Sequence, residues 1–112
     1  MNAEELNTQL YQKLFEEQKQ FRSKLLGMKP QEILDNAYEY VIREDMLISL
    51  EYNDLTEKQC KTLLKTLTPL AKMFAKWENY EGDHMEEILS VIKAYADEKA
   101  LADYLTSKKD AR

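Results

Sequence analysis

Cys60 and His84 are the only thiol and the only imidazole in this 112-residue chain. A structural zinc ion needs three or four such ligands at close spacing. Two of them, twenty-four residues apart, cannot supply that set. A carboxylate-bridged metal pair inside a helical bundle would need Glu-x-x-His on two helices, and a single histidine rules it out. His84, three residues before Glu87, reads as a first-turn surface residue. No metal and no other cofactor is expected. Cys60 could act as a nucleophile if a base and a positive field lowered its pKa, with Lys58 and Lys61 as the only nearby cations. Its apolar register makes it a small core residue instead, the usual fate of a free cysteine. Glu44 and Asp45 are adjacent carboxylates, but neighbours on a helix point about 100° apart and do not converge on one substrate atom. Two glycines cannot build a phosphate-cradling loop. The residues therefore point away from an enzyme and towards a protein that binds another macromolecule.

Charge is the more informative chemistry. The net charge is −5, with 33% charged residues against roughly 25% in ordinary domains. The charges are segregated: Glu32 to Asp54 holds seven acids and one base, Arg43, whereas Lys58 to Lys76 holds five lysines and no acid. Glu78 to Glu87 then holds five acids and no base. Two faces follow. The acidic one, Glu32, Asp35, Glu39, Glu44 and Asp45 with Tyr40 and Arg43 as anchors, suits a basic protein through charge complementarity. The basic one, Lys58, Lys61, Lys65, Lys72 and Lys76, is the alternative for a DNA-associated transcription or conjugation factor. It lacks interleaved aromatics or arginines for base stacking, and the whole chain repels phosphate. A plain solvated face is the bland reading of both.

The elements that must carry these faces read as helices throughout. Leu6, Leu10, Leu14, Phe21 and Leu25, flanked by Tyr11 and Phe15, form one stripe at helical period over 3–26. Asn2 with Glu5 opens that helix, and Gly27 closes it in a left-handed conformation. Pro30 starts a second helix, with 31–51 apolar nearly all round, as expected of a central, mostly buried element. Thr56 and Gln59 spell a capping box, with Leu55 and Cys60 at the staple positions. Cys60, Leu63, Leu64 and Leu67 face inward from the helix that follows. Thr68-Pro69 caps and starts a fourth helix with Leu70, Phe74, Trp77 and Tyr80 as its stripe. Asp83 and Glu86 open a last helix running to about Thr106, its inward side Met85, Ile88, Leu89, Ile92, Tyr95 and Ala96. The expectation is all-α: one compact bundle of about five helices over 1–112, with 1–2 and 107–112 frayed. One cysteine and an acidic N-terminus without a leader pattern suit the cytoplasm, and no apolar run approaches the roughly 18 residues of a membrane span. Self-association is left open.

Pro30-Gln31-Glu32-Ile33-Leu34, Ala37-Tyr38-Glu39-Tyr40 and Arg43-Glu44-Asp45 resemble a family of short uncharacterised bacterial proteins, a domain of unknown function. Leu55, Leu63-Leu64, Pro69-Leu70, Trp77 and His84-Met85-Glu86 agree, and the resemblance spans about residues 10–93. Such proteins occur on mobile genetic elements of gut bacteria, which implies an accessory protein of a phage, plasmid or conjugative element. In that setting, an inhibitor of a host defence nuclease (anti-CRISPR-like) acting through the acidic face is the most concrete expectation.

Overall fold

The computed structural model describes residues 1–80 and 84–110, with side chains placed for 1–80 and 85–108. Five α-helices account for it: α1 (Ala3–Leu26), α2 (Pro30–Tyr52), α3 (Glu57–Lys65), α4 (Pro69–Glu78) and α5 (His84–Asp110). There is no strand among the described residues. The all-α expectation holds. The chain divides into two compact units, Met1–Asn79 and Tyr80–Arg112.

In the first unit the middle is α1, not α2. The other three helices all pack on α1, and Leu6, Leu10 and Leu14 from its stripe meet Leu47, Cys60 and Leu70 in the core. The i, i+4 spacing of the three leucines stacks them on one side, as a 3.6-residue repeat requires. Only Arg43 and Leu47 of α2 are buried. An all-round apolar helix suggested a central position, but one arc of α2 meets α1 and the opposite arc stays exposed. Leu67 is likewise 80% exposed rather than inward, because α3 ends at Lys65 and the chain turns before reaching it.

Polar side chains of α1 tie the later segments down. Asn7 accepts from the backbone N–H of Leu55 at 2.9 Å and donates to its carbonyl at 3.0 Å. The Lys13 ammonium donates to the carbonyls of Leu64 and Thr66, each at 2.7 Å. The Glu17 carboxylate accepts from the backbone N–H groups of Leu70 and Ala71, each at 2.9 Å. These groups would otherwise be orphaned at the ends of α3 and α4, where no intrahelical partner exists.

Four expectations need adjusting, and two caps hold. Asn2 caps α1 by accepting from Glu5, and the Thr56–Gln59 capping box is complete. Thr68, however, makes no side-chain cap and sits at φ 45, an uncommon left-handed geometry for a β-branched residue. Glu17 does the capping of α4 from another helix. Gly27 ends α1 at φ −90 rather than left-handed, its N–H reaching back to the carbonyls of Lys24 and Leu25. Helix α5 continues to Asp110, past the expected end near Thr106. Ser107, Lys108 and Lys109 contain no breaker, and lysines near a helix C-terminus oppose its negative pole. The cap expected at Asp83 lies outside the described residues. The α5 side chains expected inward, Met85 to Tyr95 among them, are exposed; among the described residues of its unit there is no second helix to bury them against.

Candidate functional site

The acidic candidates on α2 do not form one surface. Glu32, Asp35 and Asp45 are exposed, Glu39, Tyr40 and Glu44 are half-buried, and Arg43 is 5% exposed. Arg43 is paired to Glu39 one turn earlier, and its guanidinium lies 3.9 Å from the carboxylate of Glu17 and 3.9 Å above the ring of Phe21. It is a cation held between two helices. Its burial is possible because two carboxylates and an aromatic face replace water around it.

Gln18, next to this cluster, is 3% exposed and was not foreseen. Its amide nitrogen donates to the carbonyl of Tyr40 and to Glu44, each at 3.1 Å. Both of those atoms can only accept, so they fix which end of the amide faces them. Glu39 and Glu44 are therefore engaged inside the unit. Tyr40 lines a cleft of about 380 Å³ between α1 and α2, beside Tyr11, Phe15 and Glu51. Tyr11 and Phe15 stack there with centroids 6.3 Å apart.

The surface that α2 does present is apolar. Leu34, Tyr38, Val41, Asp45, Ile48 and Tyr52 follow one another at steps of four, three, four, three and four. That is the repeat which keeps a seam facing a neighbouring helix. Its apolar members are between 48% and 80% exposed. Tyr38 accepts a hydrogen bond from the Trp77 indole at 2.8 Å and meets Phe74 edge-on, so this one member of the seam is braced by α4. Asp35, Glu44 and Glu51 flank it, and Asp45 interrupts it. The period was present in the sequence, but an outward and an inward stripe on one helix merge into an undivided apolar pattern.

The lysine candidates are all exposed, Lys58, Lys61 and Lys65 on α3 and Lys72 and Lys76 on α4. Lys61 is bound to Glu57 at 2.9 Å, and its hydrogen bond and charge hold the Glu57 carboxyl below its ordinary value. An acid thus sits within the basic face. Cys60 is fully buried; desolvation, followed by the Asp54 charge, raises its pKa. That is opposite to what a nucleophile requires. Stability should consequently be insensitive to this thiol at neutral pH. It should fall as pH rises through the ordinary thiol value of 9.0, where the unfolded chain ionises and the folded one does not. The slope of unfolding free energy between pH 8 and 10 should be shallower in Cys60→Val; an unchanged slope would remove the thiol from the account. No group of three or more metal-ligating side chains occurs among the described residues, and no described helix is long and apolar enough to cross a membrane.

The profile of one protein family matches residues 6–100, and its description reads "Protein of unknown function (DUF3848)". Neither a curated protein nor a solved structure matches the chain.

Proposed function

The chain belongs to the DUF3848 family of unknown function, and from that premise we propose that it is a non-enzymatic interaction module whose α2 seam takes up a basic amphipathic helix of another protein. The observation carrying this reading is the exposed four-three repeat from Leu34 to Tyr52 with acids along its margins. Apolar side chains at that period fit the apolar stripe of a partner helix, the usual way a helix is recognised in a groove. Asp35, Asp45 and Glu51 then favour lysine or arginine beside the stripe and disfavour a second copy of α2, which would bring like charges together. Set among mobile-element accessory proteins, as the sequence resemblance implies, the partner is a nucleic-acid-handling protein with a cationic surface, a defence nuclease being the concrete case.

The test is a fluorescence titration with a synthetic helical peptide carrying leucines at the same repeat and lysines beside them. Val41→Gln with Ile48→Gln, which leaves every acid in place, should weaken binding at least tenfold. Asp35→Lys with Asp45→Lys should do the same and flatten the salt dependence. Both positions face solvent, so the circular dichroism of either variant should match the parent. Glu39 is unsuitable for charge reversal because it holds Arg43. A scrambled peptide of equal charge binding equally well, or no response to the glutamine pair, would discard the seam.

A further inference from the structure

A second apolar concavity lies in the first unit on the α3 side of α2, with its own chemistry. Met46 and Leu50 from α2, Leu55, Leu63 from α3 and Met73 from α4 surround a space of about 540 Å³. That falls inside the roughly 300–1,000 Å³ range of small-molecule sites. Two of the five are methionines, whose unbranched chains adapt to an occupant without a fixed shape.

The polar residues of the lining are Ser49, Lys58, Gln59 and Thr62. Lys58 is the only ionised side chain there, and its ammonium has no ion pair among the described residues, whereas Lys61 is held by Glu57. Gln59 spends its amide oxygen on the Thr56 N–H at 2.9 Å, which leaves the amide nitrogen, a donor. The Ser49 hydroxyl can also donate. An apolar lining that includes donors and one cation matches a molecule with an apolar tail and a small negative head.

We infer that this groove binds an amphipathic carboxylate, an unbranched acyl chain lying across Leu50, Leu63 and Met73 with its head at Lys58. The inference concerns a surface separate from the α2 seam and does not depend on it. Helix α3 supplies the specificity: Lys58 and Gln59 of its first turn both line the groove, Lys58 carrying the charge, and its capping box fixes the direction of that turn.

Decanoate, below its micelle concentration, is the probe, titrated into the full chain and followed by amide and methyl NMR shifts. The expected result is saturable shifts at Met46, Leu50, Leu63 and Met73. Decyltrimethylammonium, with the same tail and the opposite head, should bind at least tenfold more weakly. Lys58→Glu, an exposed first-turn substitution that the fold tolerates, should reduce decanoate affinity at least tenfold. The Val41→Gln, Ile48→Gln variant should bind decanoate as the parent does, which separates this site from the seam. Absence of saturable shifts, equal affinity for the two amphiphiles, or an unaltered affinity in Lys58→Glu would each overturn it.

Discussion

Arg43→Ala is expected to lower the free energy of unfolding by about 3 kcal/mol, within the range for breaking a buried ion pair by removing one partner. The cost is not the lost attraction alone. The Glu39 and Glu17 carboxylates would keep their low-dielectric surroundings and lose their cation, and the Phe21 ring would lose its cover. Glu17 also holds the first turn of α4, so a displaced carboxylate would loosen Leu70 and Ala71. Urea unfolding followed by circular dichroism measures the loss. Combining Arg43→Met with Glu39→Gln should recover part of it, because a neutral pair of similar volume leaves less uncompensated charge. A loss below about 1 kcal/mol, the size of an exposed ion pair, would mean that water reaches the cluster.

Leu14→Ala should cost about 3 kcal/mol, within the range for a leucine truncated in a tight core. Leu14 has no exposed surface and lies in the cluster to which α1, α2, α3 and α4 all contribute. The adjoining Phe15→Ala should cost less than about 1 kcal/mol, since that side chain is 53% exposed and the cavity term is absent. The contrast between the two in one denaturation series checks the register of α1. Equal costs would place the stripe on the wrong side of the helix.

Much of the local structure was legible before any coordinates. The Thr56–Gln59 box and the Asn2 cap lie within three residues of their partners, and the α1 leucines repeat at one turn. Patterns of that range are written in consecutive residues. The errors concern partners far along the chain. Glu17 looks like a surface acid of α1 until it is known that residues 70 and 71 come to it. The burial of Arg43 was hidden for the same reason, because its partners on α1 are invisible in the spacing of α2. Of the acidic candidates, Glu32, Asp35 and Asp45 are exposed, whereas Glu39 and Glu44 are drawn inward by Arg43 and Gln18. The α2 seam was hidden by its own regularity: apolar residues on both arcs of a helix give the composition of a buried element whichever arc is covered. For α5, hydrophobic period alone indicates that a partner is wanted, not that its own unit provides one.

The tethering of residues 55 to 71 by Asn7, Lys13 and Glu17 also has a consequence during biosynthesis. The stretch bearing those three side chains leaves the ribosome before the residues it holds, with its leucine stripe not yet closed over by α3 and α4. Glu17 must wait for a backbone N–H made 54 residues later, an interval of roughly 3–11 s at ordinary translation speeds. Over that time α2 covers part of the stripe, and the side that α3 and α4 close later has only water or a chaperone to face. Synonymous codons that slow elongation through the α2 stretch should lengthen the exposure and lower soluble yield, without altering a single residue of the finished molecule.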